Sequence, residues 1–314
     1  MNRVGLCFAA AIGLVLAACE PQKPADPLAE ARIACNVETS APTTRVAACS
    51  KLLDEGGLQG AARSVALANR SAAHLAADER TAALRDAEAA LDIDPTSMVA
   101  SYTRASILLD SGQLDAAQPL VDRMITAQYR LDEAHLFAGR IAMARSDYPG
   151  AIDAFNAALA AHHDWPAALE LRGRSEELQG HDPSARADYD NAIAHDSTRT
   201  TQAYVWRCWM GVRAKDASPQ VRSDAEAGVR AQPHSVDAHN CLGVVQLKAG
   251  EWADAKASFD AALQERPGDA IALFGRGVAR RRSGDGHGSD DLNQAHEFDP
   301  HVREFFLSIG VETY

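Results

Sequence analysis

Residues 236–269 decide the fold, and they read VDAHNCLGVVQLKAGEWADAKASFDAALQERPGD. The landmarks of this stretch are Gly243, Ala255, Phe259, Ala262 and Pro267. The two alanines and the phenylalanine are four and three residues apart, so they share one face of a helix. The glycine stands on an earlier helix, across the turn KAGEW, where the missing side chain allows a second helix to pack closely. Proline then stops the second helix, because it lacks the amide hydrogen that a helix interior needs.

The same pattern recurs every 34 residues along the chain. Residues 132–165 place Gly139, Ala151, Phe155 and Ala158 at the corresponding positions. The predicted units are 64–97, 98–131, 132–165, 166–199, 202–235, 236–269 and 270–300. One helical hairpin cannot bury its apolar face alone, so consecutive copies must stack on one another.

A 34-residue period with these landmarks resembles the tetratricopeptide repeat, and the resemblance covers residues 64–300. It implies an all-α fold, a right-handed superhelical solenoid of antiparallel helix pairs. The unit 202–235 departs from the pattern, because Trp209 stands where a small residue is expected and Gly228 where alanine is expected. A composition rich in alanine, with only 6% aromatic residues, agrees with a helical protein.

Both ends of the repeat array are predicted to be caps. Residues 28–63 are expected to form an N-terminal half-repeat cap, because RVAACSKLLDEGG resembles a lone second helix. Residues 301–314 are expected to form a C-terminal capping segment that shields the apolar end of the last hairpin.

The first residues of the chain indicate export. Residues 1–18 combine one arginine, an apolar run and small residues, which is the pattern of a secretory signal peptide. The apolar run is shorter than the roughly 20 residues that a membrane-spanning helix needs. The junction LAAC resembles the lipobox of bacterial lipoproteins, which implies cleavage before Cys19 and acylation of its thiol, with 19–27 as a lipidated tether. An ordinary signal peptide with an incidental cysteine is the alternative.

Four of the six cysteines remain after the predicted cleavage and acylation, namely Cys35, Cys49, Cys208 and Cys241. An even number in an exported chain indicates disulfide bonds. Three pairings exist, and the simplest joins Cys35 to Cys49 and Cys208 to Cys241, since each is the other's nearest neighbour in sequence. The spacing disfavours a zinc site, which uses closer cysteines.

Sequence motifs for catalysis are weak. His162, His163 and Asp164 adjoin one another without a His-Glu-x-x-His helix, and the glycine-rich GDGHG lacks the Gly-Lys-Ser/Thr ending of a phosphate-binding loop. A formal charge of −12 disfavours general nucleic-acid binding. We therefore predict a protein that is not an enzyme and needs no cofactor or metal. A thiol-active or hydrolytic enzyme is the least favoured alternative.

The resemblance also implies a binding surface, because the first helices of such repeats line a concave groove. The residues predicted to contact a partner there are Tyr102, Arg140, Glu170, Arg174, Glu177, Trp206, Met210, Arg213 and Asn240. A wider set on the same positions adds Ser106, Glu133 and Lys248. Arginine and aromatic residues commonly anchor protein interfaces, and Trp206 and Arg174 are the strongest candidates.

The function predicted from these features is a scaffold that binds a segment of another envelope protein. Its only membrane contact would be the N-terminal lipid, on the periplasmic side of the bacterial cell envelope. The outer membrane is favoured over the inner, because Glu20 rather than aspartate follows Cys19. The second interpretation is a regulator of a cell-wall or envelope-assembly enzyme.

Overall fold

The computed structural model describes residues 28–195 and 201–311. The predicted signal peptide, Cys19 and the tether lie outside these residues. All regular structure in the described ranges is helical, which confirms the predicted all-α class. The helices are α1 (Ala29–Asn36), α2 (Pro42–Glu55), α3 (Gly60–Ala76), α4 (Arg80–Ile93), α5 (Met98–Asp110), α6 (Leu114–Thr126), α7 (Leu131–Ala144), α8 (Tyr148–Ala161), α9 (Pro166–Leu178), α10 (Asp182–His195), α11 (Thr201–Arg213), α12 (Pro219–Ala231), α13 (Val236–Ala249), α14 (Trp252–Glu265), α15 (Ala270–Arg282), α16 (Gly288–Phe298) and α17 (Val302–Ser308). They divide into two compact units at Pro95.

The first unit contains two hairpins, α1/α2 and α3/α4. The sequence predicted a lone second helix for its cap, whereas the structure has the short α1 packed on α2. The eight residues of α1 are too few for a clear helical period in the sequence. Cys35 and Cys49 are buried and joined by a disulfide, with their Cα atoms 4.9 Å apart. This bond links the two helices of a hairpin that has a small core.

The second unit stacks six hairpins, from α5/α6 to α15/α16, and ends with α17. Each second helix packs against the first helix of the next hairpin, and neighbouring first helices also contact each other. The first helices α5, α7, α9, α11, α13 and α15 therefore lie side by side. We call the surface that they share the first-helix face.

The landmark residues form the core between hairpins. Phe259 of α14 is fully buried. A Cβ atom on Gly243 would lie 2.7 Å from its ring, and one on Gly275 of the next hairpin would overlap the same ring. The glycines thus make room for the phenylalanine between two successive hairpins, as the sequence pattern predicts.

The hairpin α11/α12 corrects the predicted register by one residue. Cys208, which is fully buried, occupies the small-residue position that the sequence assigned to Trp209. Trp209 instead donates from its indole nitrogen to the carbonyl oxygen of Asp237, at 3.2 Å. Cys208 precedes Pro233 by 25 residues, whereas Gly243 precedes Pro267 by 24, so the hairpin α11/α12 contains one residue more than the next one. Its turn, 214–218, is longer than the turn 250–251 of that next hairpin. Cys208 forms a disulfide with Cys241 of α13, with Cα atoms 6.5 Å apart.

A repeated ion pair, which the sequence analysis missed, clips first helices to their neighbours. Arg172 of α9 donates to both carboxylate oxygens of Asp188 in α10, at 2.8 and 2.6 Å, and to Asn156 of the preceding α8 at 2.8 Å. Three more arginines do the same: Arg70 with Asp86 and Ser50, Arg207 with Asp224 and Asp190, and Arg276 with Asp291 and Asp260. Each of these four arginines holds three consecutive helices together, and we call each such set of contacts an arginine clip.

Candidate partner-binding surface

The most concentrated set of predicted binding residues lies on α9 and α11 of the first-helix face. Trp206 and Met210 are half-buried and pack against the core around Tyr189. The Trp206 and Tyr189 rings are 5.6 Å apart, and the guanidinium carbon of Arg174 lies 5.9 Å from the Trp206 ring centre. The two helices thus present an indole ring, a thioether and a guanidinium together.

Glu177 is a buried acceptor that binds three side chains of this region. Its side chain is only 6% exposed and accepts hydrogen bonds from Arg174 at 2.9 Å and from the Tyr189 hydroxyl at 2.8 Å. Arg213 of α11 pairs with the other carboxylate oxygen. Burial and the neighbouring Glu177 carboxylate raise the pKa of Tyr189, so its hydroxyl remains a donor. One buried carboxylate therefore orients two arginines on adjacent first helices.

Glu170 is the second acidic residue of this surface. Its carboxylate accepts a hydrogen bond of 3.2 Å from the backbone N–H of Ala203, in the first turn of α11. Burial raises the pKa of Glu170 to about 7, and the Ala203 hydrogen bond opposes that shift. Glu170 therefore titrates close to neutral pH, at the point where α9 meets the start of α11.

Tyr102 and Arg140 belong to another set of contacts, on α5 and α7. The Tyr102 ring stacks on Phe137 at 5.4 Å, and the guanidinium carbon of Arg130 lies 4.9 Å from its centre. Burial, followed by the nearby Glu133 carboxylate, raises the pKa of the Tyr102 hydroxyl. Arg140 donates to Asp110 at 2.8 Å.

Comparison with known proteins identifies the repeat. A family model described as "Tetratricopeptide repeat" matches residues 102–164, 136–200 and 242–286. Residues 102–200 and 242–286 therefore match the tetratricopeptide repeat. A tetratricopeptide repeat protein from Parabacteroides merdae superimposes with a TM-score of 0.50 at 15% identity, over 66% of this chain and 86% of that one. A chain of the APC/C hetero-tetramer Cut9–Hcn1 superimposes with a TM-score of 0.55 at 16% identity, over 89% of this chain and 54% of that one.

These two superpositions show a shared fold of stacked helical hairpins. A search of curated proteins returned no match. Within the part of the chain that the structure describes, no helix is long and apolar enough to cross a membrane. The same part holds no group of three or more histidine, cysteine or acidic residues that could bind a metal ion.

Asn240 does not fit the predicted surface. It is 1% exposed, between the start of α13 and the start of α15. Its Nδ2 donates to Oδ1 of Asp269 at 2.9 Å, and the same oxygen caps α15 by accepting from the Ala272 N–H at 2.9 Å. The position that faces a groove in the resembled repeats is here covered by the next repeat. Asn240 is therefore removed from the candidate binding residues, and the others lie partly exposed or in contact with exposed groups.

Proposed function

We propose that this chain is a protein-binding scaffold that holds a segment of an envelope protein against its first-helix face. The observation that carries the proposal is the cluster of Trp206, Met210, Arg174 and Arg213 around Glu177. Tryptophan and arginine are the residues that contribute most often to binding energy at protein interfaces. Tetratricopeptide repeats bind protein partners generally, which agrees with a surface of this kind.

The two arginines of this cluster are held in place by Glu177 before any partner binds. Arginine side chains lose conformational freedom when they bind, and that loss weakens association. Glu177 already holds Arg174 and Arg213, so part of this ordering is complete before a partner arrives. The half-buried Trp206 ring beside Arg174 offers apolar area without large rearrangement.

We further propose that lipid on Cys19 holds the scaffold at the periplasmic side of the cell envelope, with residues 19–27 as the tether. The support is the LAAC junction after an apolar signal run. Two acyl chains suffice for stable anchoring, since each buried methylene contributes about 0.8 kcal/mol.

The binding proposal is tested by affinity capture from solubilised envelopes, followed by binding of the purified partner. Trp206→Ala and Arg174→Ala should each weaken that binding, the first by about tenfold or more. Trp252→Ala is the matched control, because Trp252 lies in α14 and also has an arginine, Arg282, 5.8 Å from its ring. Equal loss in the control and in Trp206→Ala would refute the assigned surface.

The anchor is tested by fractionation of cells that express single cysteine variants. Cys19→Ala should abolish acylation, whereas Cys7→Ala, within the predicted signal peptide, should leave the protein in the membrane fraction. Retention of an unacylated Cys19→Ala protein in the membrane would refute the lipid anchor.

A further inference from the structure

Three consecutive first helices carry a cation at the same position, and each cation has different surroundings. Arg213 of α11 pairs with Glu177 of α9. Arg282 of α15 lies over the Trp252 ring. Lys248 of α13 lies 35 residues after Arg213 and 34 before Arg282. Among the described residues it has no ion-pair partner within 4 Å and no aromatic ring beneath it.

The reason is a replacement at the position opposite the lysine. Val212 of α11 stands 35 residues after Glu177, so it occupies the place from which Glu177 contacts Arg213. Val245 likewise replaces Met210, which is partly buried and packs against the core around Tyr189. The α11/α13 interface therefore has a cation without the carboxylate that its neighbour has, and smaller apolar side chains.

A pocket of about 430 Å³ lies where these replacements occur. Val212, Val221, Val245 and Ala249 supply apolar walls, and Lys248 lies among the lining residues. Residues 216–218 of the long turn line the same pocket, between the end of α11 and the start of α12. Its volume is within the range of natural ligand sites, about 300–1,000 Å³.

The other charges of the pocket are already engaged. Arg222 donates to both carboxylate oxygens of Glu251 at 2.8 Å. The Asp216 carboxylate accepts from the backbone N–H of Ser218 at 2.8 Å and from its hydroxyl at 3.0 Å. Burial, and then the charge of the nearby Lys215, lower the pKa of Lys248, whereas the charge of the Asp216 carboxylate opposes that shift. Lys248 lines the pocket, and Lys215 lies close enough to act on its charge.

We propose that the pocket binds a large apolar side chain of a partner segment, with an adjacent glutamate or aspartate that pairs with Lys248. The apolar side chain would fill the valine-lined space, and the carboxylate would take the place that Glu177 has towards Arg213. This inference rests on the proposed function, because it specifies the chemistry of a partner segment. Lys248 is exposed at the rim of the pocket, with the ammonium of Lys215 and the carboxylate of Asp216 nearby, so the local cations outnumber the local anion. A carboxylate of the partner is the complement of that excess positive charge.

The first test selects peptides from a phage-displayed random heptapeptide library on the purified full-length protein. The wild type should enrich sequences in which an acidic residue adjoins a large apolar one. Lys248→Glu should lose the acidic preference and shift it towards lysine and arginine. Lys51→Glu, at an exposed lysine of α2, is the matched control and should select as the wild type does.

The second test measures affinity with one selected peptide, synthesised with blocked ends so that only side-chain carboxylates are present. Replacement of its acidic residue by the amide should weaken binding to the wild type about tenfold, which corresponds to one charged hydrogen bond. The same replacement should have almost no effect on Lys248→Gln. Val212→Glu, which restores an internal carboxylate, should behave as Lys248→Gln does, provided that circular dichroism shows it folded.

The outcomes separate the two proposals. Selected peptides without acidic preference, or an unchanged preference in Lys248→Glu, would overturn the pocket assignment and leave the scaffold proposal standing. Failure of the wild type to enrich any peptide would overturn both. Loss of all selected peptides in Trp206→Ala, with Lys248→Glu unchanged, would move the binding site wholly to α9 and α11.

Discussion

The interfaces α9/α11 and α11/α13 use the same positions of successive repeats, but different side-chain contacts join the helices in each. In the first, Glu177 and Arg213 form an ion pair across the helices. In the second, a disulfide joins Cys208 to Cys241, while Lys248 faces Val212. The repeat sets where the backbones lie, whereas single residues decide whether an interface is completed by the chain itself or by a partner.

The helix common to both interfaces, α11, offers the largest expected effect. Arg207 is bonded to Asp224, which is 2% exposed, and to Asp190, which is 51% exposed. Asp224→Ala should lower the free energy of unfolding by about 4 kcal/mol, because it leaves a buried guanidinium without its main partner. Asp190→Ala should cost less than about 1 kcal/mol. Urea denaturation measures both, and equal effects would contradict the assigned burial.

Removal of the disulfide should affect the α11/α13 interface next. The bond closes 33 residues, and a crosslink of that span stabilises a protein by about 3.7 kcal/mol. Cys208→Ala together with Cys241→Ala should therefore lower the free energy of unfolding by about that amount, measured by thermal or urea denaturation. The Cys35/Cys49 double variant is the comparison, since its 14-residue span predicts a slightly smaller loss.

Loss of the internal carboxylate should loosen the α9/α11 interface. Glu177→Ala leaves Arg174, Arg213 and the Tyr189 hydroxyl without their shared acceptor. We expect a loss of about 2 kcal/mol in the free energy of unfolding and a change in Trp206 fluorescence. Glu176→Ala, which removes a contact with the exposed His181 and a charge near Arg172, is the control and should leave the tryptophan fluorescence unchanged.

The smallest effect depends on pH and concerns Glu170. Its pKa in the fold is about 7, above the ordinary value of 4.5, so the fold favours the neutral acid. The contribution of Glu170 to the free energy of unfolding is therefore fully present below pH 4.5. It is lost as the pH rises through 7, because the carboxylate must then ionise in a partly buried site. Relative to wild type, Glu170→Gln should therefore gain about 1 kcal/mol between pH 4.5 and 8, a value reduced because water reaches part of the side chain.

Urea denaturation across that pH range measures the difference between Glu170→Gln and wild type. The exposed Glu55→Gln serves as the matched substitution. The variant's excess free energy of unfolding over wild type should rise with pH. An excess that falls with rising pH would contradict this expectation, because the surroundings would then stabilise the carboxylate.

The sequence predicted the helical class and the core landmarks because these depend on local spacing. Gly243 and Phe259 must recur at fixed offsets for one hairpin to stack on the next. The register of α11 was wrong by one residue, because the length of the turn 214–218 was not apparent from the pattern alone. The place of Asn240 was wrong because its burial depends on the cap of α15, 29 residues further along the chain.

The arginine clips and the α11/α13 pocket were missed for a related reason. Arg207 bonds to residues 17 positions away in both directions, on different helices. Such pairs become evident only when arginine and aspartate are compared across units at matched positions. The replacement of Glu177 by Val212 is visible in the sequence in the same way, but its consequence requires the register that the structure provides.

Site-specific photo-crosslinking in living cells tests the central claim most directly. A benzophenone amino acid is placed at Met210, beside Trp206 on the first-helix face, and in a second strain at Lys256, on the second helix α14. A discrete partner that crosslinks at position 210, weakens with Arg174→Ala and is absent at position 256 is the predicted result. Equal crosslinking at both positions, or none at 210 with the protein present and folded, would contradict a scaffold that binds through α9 and α11.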